Sequence, residues 1–246
     1  MHDPSTTLLG VSLPFPVMNA PGTPTGIGEL RVLARHGIGA LCLRTATLHP
    51  FVHREFRSLH NPGHDKLLTV AAELAGLGGP PVIASIAGGT PDEYAVLARA
   101  FADAGVALVE ANLADPWVER ALAPYEDLTV LAEVLARLCE ACPVPVLIRL
   151  PQPGRTKYAA IADTLAAAGV RGVVISNDFE GLEKFRIEAG GEFEIVGAGH
   201  VKSGYDVTRA LAKGARALQV GAVLHVEGPR LFARLRREMR GRDARV

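Results

Sequence analysis

Short, wholly apolar runs recur along the chain at about 17–20, 40–45, 82–87, 108–113, 146–151, 172–177, 194–199 and 217–222. Runs of this length without polar alternation predict strands buried on both faces, as in a parallel sheet. Between them lie helical patterns, clearest at 92–104, 126–141, 158–168, 206–213 and 229–240. One joint repeats: ARHGIGALCL, FADAGVALVEA, LAAAGVRGVVI and LAKGARALQV each pass from a helical pattern through a glycine into a strand. Glycine just past a helix takes the left-handed capping conformation without a side-chain penalty. Eight such units predict one α/β domain over residues 1–246, a closed (βα)8 barrel of the TIM type. An open doubly wound sheet is the alternative.

Composition narrows the function classes. Apolar residues make up 48% of the chain and charged residues 21%, and the 26 Lys plus Arg balance the 26 Asp plus Glu, which argues against disorder and against a polyanion-binding surface. Nucleic acid is not an expected partner. The start, MHDPSTTLLG, has no basic stretch followed by a long apolar one, and no run reaches the ~18 residues of a membrane span, so a cytoplasmic protein without membrane partners is expected. Three cysteines do not make a disulfide framework. Cys139 and Cys142 form a lone C-x-x-C, read as structural because no second pair accompanies it. His49, His53, His60 and His64 crowd one loop without a carboxylate-rich motif and are read as a solvated or substrate-contacting loop, so no metal is expected.

In a barrel of this kind chemistry sits where strands end. Polar residues cluster at those positions: Asn19, then Arg44 and Thr45, then Asn112 and Asp115, then Arg149, then Ser176 and Asn177. Alternation puts Glu110 and Asn112 on one face of their strand, and if Arg149 points inward too, Glu110 can neutralise Arg149 or Arg44. Such a pair is either functional or simply self-satisfying. Glycines follow the seventh and eighth strands at GAGHVKSG (197–204) and QVGAV (219–223). Backbone amides there suit a phosphate, with Lys202 and Ser203 adding a charge and a hydroxyl; the competing reading is glycine for tight turns alone.

The segments VMNAPG (17–22), LRTATLHP (43–50), SIAGGTPDEYAVLA (85–98), VEANLADP (109–116), VPVLIRLP (144–151) and VGAGHVKSGYDVTRALAKGARALQVGAVLHVEGPRLFARL (196–235) resemble the dihydroorotate dehydrogenase family, in the right order over most of the chain. The resemblance implies an FMN-binding barrel in which the flavin takes a hydride from a dihydropyrimidine-like ring while a base removes a proton. Transferred to this sequence, the cofactor-binding set is Ala20, Gly22, Arg44, Thr45, Asn112, Arg149, Ser176, Gly199, His200, Gly221 and Ala222. The substrate-binding set is Asn112, Trp117 and Asn177, and the catalytic set is Asp115, Arg44 and Arg149. Gly199, Gly204 and Gly221 fall on the family's phosphate loops, and Asn61 in SLHNPGHDK (58–66) stands where the family has its substrate loop.

The chain also departs from the family. Asp115 replaces the Cys or Ser base, Trp117 replaces an asparagine, and Arg44 and Arg149 replace flavin-facing lysines. His200 replaces a glycine and Ala222 a threonine, and the segment EGLEKFRIEAGGEFE is too short for the family's excursion and its extra phosphate loop. Arginine keeps the positive charge although its planar fork is not an ammonium. Losing an amide that bonds a polar ring edge alters substrate choice more strongly. The expectation is therefore an FMN oxidoreductase acting on a small cyclic or unsaturated substrate other than dihydroorotate, with a homodimer held open. Two rivals stand beside it: a barrel lyase or isomerase binding a phosphorylated substrate, and a non-catalytic barrel homologue.

Overall fold

The computed structural model describes residues 4–23, 26–50, 61–115, 118, 121–151, 158–176, 179–190 and 193–243. The chain opens with β1 (Thr6–Leu8) and β2 (Val11–Leu13), an antiparallel hairpin that the strand pattern did not predict. Each strand has three residues, too few for a period to show. Leu9 and Gly10 at the turn both have positive φ, 49° and 82°, the twist that favours tight hairpins.

The repeating units follow: β3 (Val17–Asn19), α1 (Ile27–Ala34), β4 (Leu41–Cys42), α2 (Asp65–Gly76), β5 (Val82–Ile86), α3 (Pro91–Asp103), β6 (Leu108–Asn112), α4 (Leu128–Ala141), β7 (Val146–Leu150), α5 (Tyr158–Ala167), β8 (Gly172–Ser176), α6 (Phe179–Ala189), β9 (Glu194–Ala198), α7 (Gly204–Ala212), β10 (Ala215–Val220), α8 (Ala222–Glu227) and α9 (Arg230–Asp243). The eight strands β3 to β10 are parallel neighbours in the order β3-β10-β9-β8-β7-β6-β5-β4, a nearly closed barrel of the (βα)8 class. Closure falls at the β3/β4 seam. Gly39 N–H donates to Val17 O at 2.8 Å. The Asn19 side chain then acts as a spare peptide: its Nδ2 donates to Cys42 O at 2.7 Å and its Oδ1 accepts from Cys42 N–H at 2.9 Å. Gly39 is required there, because a Cβ would lie 1.8 Å from Phe15 O.

Alternation along the strands divides the core in two. Met18, Cys42, Ile83, Leu108, Leu147, Val174, Val196 and Ala217 fill the barrel interior, and Leu8 and Leu13 of the hairpin plug its base. The opposite faces, among them Val17, Leu41, Ala84, Val109, Ile148 and Val173, pack against the helices. α3 shows why the outer layer forms. Thr90 caps its start by accepting from Glu93 N–H at 3.2 Å, Pro91 sits in the first turn, and Tyr94, Leu97, Ala98 and Phe101 make one buried stripe. Each large apolar side chain so buried contributes roughly 1.5–3 kcal/mol. Among the described residues, no helix is long and apolar enough to cross a membrane.

Candidate active site

The C-terminal end of the strands is where the chain places its buried polar groups. On β6 the interior alternation carries Leu108, then Glu110, then Asn112; on β7 it carries Leu147, then Arg149, and Asn112 is the register partner of Arg149. Glu110 is fully buried and lies one level deeper than Arg149. Arg149 Nε donates to Glu110 Oε1 at 2.7 Å, with only 12% of the arginine side chain exposed. Its Nη2 donates to Gln219 Oε1, while Gln219 Nε2 donates to Glu110 Oε2 at 2.6 Å. The three side chains form a closed ring in which both carboxylate oxygens are bonded. A buried charge is tolerated when it is paired and hydrogen-bonded in this way.

Gln219 comes from β10, which is separated from β7 by β8 and β9, so the ring crosses the barrel interior. Its Nε2 also lies 3.7 Å from Cys42 Sγ on β4. Burial, reinforced by the Glu110 charge, holds the Cys42 thiol well above its ordinary pKa, and Arg149 only partly opposes this. Sequence reasoning passed over Gln219. The available signal was an amide at the same strand parity as the interior residue Ala217.

A second polar cluster lies at the ends of β4, β5 and β6. Thr45 Oγ1 and Ser85 Oγ are 2.9 Å apart, and Asn112 Nδ2 donates to Thr45 Oγ1 at 3.4 Å. Asn61 Nδ2 donates to Thr45 O at 2.6 Å, so the asparagine from the second loop reaches this mouth. Arg44 follows Cys42 by two residues and is half-buried, and burial lowers its guanidinium pKa. Asn112 Oδ1 accepts from Ala114 N–H at 3.3 Å, an Asx-type turn that leads directly to Asp115. Asp115 is half-buried beside Tyr94. The Tyr94 phenol is pushed up mainly by burial, with the Asp115 charge contributing, and it donates to Asn112 O at 3.4 Å. Tyr125 Oη donates to Arg149 O at 3.0 Å and pins the end of β7.

Gly199, His200, Gly221 and Ala222 meet in one cleft of about 800 Å³ between the ends of β9 and β10, within the ordinary size of a ligand site. His200 holds φ 57°, a left-handed conformation in a residue that has a side chain. Ala20 is bonded to Val220 through its N–H at 2.8 Å and lies next to Gly221. Gly22 and Thr23 line a neighbouring cleft of about 440 Å³ with Leu224 and His225.

The start of α7 corrects one expectation. Read from sequence, the amides and hydroxyl around Lys202, Ser203 and Gly204 were part of a phosphate cradle. Asp206 instead accepts from Lys202 N–H, Ser203 N–H and Ser203 Oγ, each at 2.9 Å, and Glu238 accepts from Gly204 N–H at 2.7 Å. Gly204 serves close helix packing, since a Cβ would lie 2.6 Å from Glu238 Cβ. The protein's own carboxylates use that helix start.

Ser176 ends β8 opposite Ala198 of β9. Trp117, Asn177, His53 and His60 lie outside the described residues. His64 Nδ1 is 2.9 Å from Leu48 O and leads into α2.

No family model matches the chain. Among curated proteins it is 28% identical to a dihydroorotate dehydrogenase A (fumarate) of Lacticaseibacillus paracasei over 265 residues, covering 87% of this chain and 90% of that protein. It is 28% identical to the catalytic subunit of dihydroorotate dehydrogenase B (NAD(+)) of Desulforudis audaxviator, over 88% of this chain and 85% of that one. The corresponding catalytic subunit of Geobacillus kaustophilus is 30% identical over 74% of this chain and 63% of its own length. The first match runs over 265 positions, more than the 246 residues present here, so that relative carries segments this chain lacks. Barrel, polar mouth and sequence point the same way: over most of its length the chain is similar to proteins named dihydroorotate dehydrogenase, which carry segments that it lacks.

Proposed function

We propose that this chain is an FMN-dependent oxidoreductase of the dihydroorotate dehydrogenase type, acting on a small cyclic or unsaturated substrate other than dihydroorotate. The observation that carries this reading is that Thr45, Asn112 and Arg149 lie at the strand ends of the same barrel mouth as the open cleft at Gly199 and Gly221. The residues present fit the cofactor. A Cβ added at Gly199 would meet nothing, and one at Gly221 would meet only Ala20 and Thr23 at 3.7 and 3.8 Å, so the backbone of both loops is open to a phosphate. Arg44 and Arg149 would place positive charge near the ring system, and Asn112 and Thr45 would supply hydrogen bonds. With α7 engaged by Asp206 and Glu238, the phosphate would rest on the β9 and β10 loops alone.

Bound FMN supplies a two-electron acceptor, and the chain's own groups handle the proton. Asp115, which follows the Asn112 turn, would be the carboxylate that accepts it. A carboxylate is ionised near neutral pH and needs no activating partner, but it is a weak base and suits a more acidic carbon than one served by a thiolate. This substitution is the ground for a substrate other than dihydroorotate.

The test is incubation of the purified protein with excess FMN, desalting and an absorption spectrum. Retained flavin absorbance is the expected result. A colourless protein that still binds phosphate esters would overturn the reading in favour of a lyase or isomerase. Once a compound that bleaches the flavin is found, with dihydroorotate among those tried, Asp115→Asn should slow reduction about a hundredfold with binding intact. An unchanged reduction rate removes Asp115 from the mechanism.

A further inference from the structure

We infer that Glu110 sets the charge presented to the bound flavin by Arg149, and that Gln219 fixes the direction in which Arg149 acts. The inference deepens the proposed function and rests on it. Arg149 reaches back from the level of Asn112 to a carboxylate one residue pair deeper, and Nε and Nη2 are directed at two acceptors from different strands. A guanidinium fork held at two points is a fixed donor set rather than a mobile charge. Glu110 is fully buried and Gln219 is fully buried, so solvent does little to screen the pair from whatever lies above it. With Glu110 ionised, the ring is close to neutral and the flavin would feel the field of a dipole. Without the Glu110 charge it would feel a full cation, which favours the anionic reduced form.

A ring kept only for packing has no such consequence, because replacing a buried ion pair by neutral groups of similar volume is often harmless to stability. Glu110 and Gln219 are therefore positioning residues for Arg149, and the discriminating readout is a redox equilibrium. The FMN-loaded full chain is titrated for its midpoint potential, which gives the ratio of affinities for reduced over oxidised FMN. Glu110→Gln is expected to raise that ratio at least tenfold, about 30 mV for a two-electron couple. Glu110→Gln with Arg149→Gln, which removes both charges, is expected to return it to within threefold of wild type.

If wild type takes up no FMN, the proposed function fails and this inference with it. If wild type and Glu110→Gln both bind FMN and the ratio stays within twofold, only this inference falls. Should Glu110→Gln not fold, the double variant decides, since it leaves no unpaired buried charge. A ratio at least tenfold below wild type in that variant would mean that Arg149 acts as an unneutralised cation, and would overturn the inference.

Discussion

Asn19 shows how much one side chain can do for a fold. Its amide has a donor and an acceptor in the same planar arrangement as a peptide, and it uses both on the Cys42 backbone where the β3/β4 ladder is incomplete. A carboxylate of the same shape keeps the acceptor and loses the donor, which would leave Cys42 O facing a buried negative charge. Asn19→Asp should lower stability by about 3 kcal/mol at neutral pH, measured by urea unfolding. Protonation restores the missing donor, and burial raises the native pKa of the new carboxyl. The deficit should therefore be smallest below about pH 4, the reference value for Asp, and grow as pH rises toward the raised native value. A deficit that did not change with pH would show that the seam does not depend on this amide. Asn19 was legible as a polar residue at a strand end, where chemistry is expected in a barrel, and nothing in its sequence position marked it as a structural amide. Its role depends on Cys42, 23 positions away, which no local pattern connects to it.

Helix α9 and the start of α7 illustrate the element scale. Glu238 accepts from the Gly204 amide, and Arg234 ties Glu238 to Glu227 and to the Lys202 carbonyl. Burial raises the Glu238 carboxyl, but the Gly204 amide and Arg234 outweigh it and hold the group below its usual value. A carboxyl with a lowered native pKa contributes stability that is fully present above its ordinary value of about 4.3 and is lost as pH falls through the native one. Glu238→Gln should flatten the acid side of a plot of Tm against pH and leave its neutral portion nearly level. Parallel curves for variant and wild type would remove Glu238 from the acid response. The helices and strands themselves were largely readable, because a buried strand and a glycine-ended helix are properties of neighbouring residues. The phosphate reading of Lys202, Ser203 and Gly204 was a local inference too. Asp206, three residues past Ser203, takes the Lys202 and Ser203 amides, and Glu238, 34 residues beyond Gly204, takes the Gly204 amide.

For the molecule as a whole, the barrel brings β4, β6, β7 and β10 to one interior point through Cys42, Glu110, Arg149 and Gln219, and leaves a cleft between the β9 and β10 loops. A ligand that binds only this folded arrangement must stabilise it. FMN at about one hundred times its Kd should contribute roughly 2.7 kcal/mol, a rise in Tm on the order of 5–10 °C for a chain of this size. Gly221→Val should abolish that rise while changing the ligand-free Tm little, because a Cβ at Gly221 meets its neighbours only at 3.7 Å and beyond. An equal rise in variant and wild type would place the phosphate elsewhere.

The amino-acid sequence by itself determined the class of fold, the eight buried strands and the strand ends at which Arg44, Thr45, Asn112, Asp115 and Arg149 are found. Those follow from the alternation, apolar runs and glycine joints of adjacent residues, which act over a few ångströms of chain. Tertiary structure alone decided which of those polar groups meet. Glu110 engages Arg149 and not only its own strand, Gln219 completes the ring from 70 residues beyond Arg149, and Glu238 takes the Gly204 amide at the start of α7. The reason is physical: a buried polar group must find a partner wherever the closed barrel places one, and that choice is made across the barrel rather than along the chain.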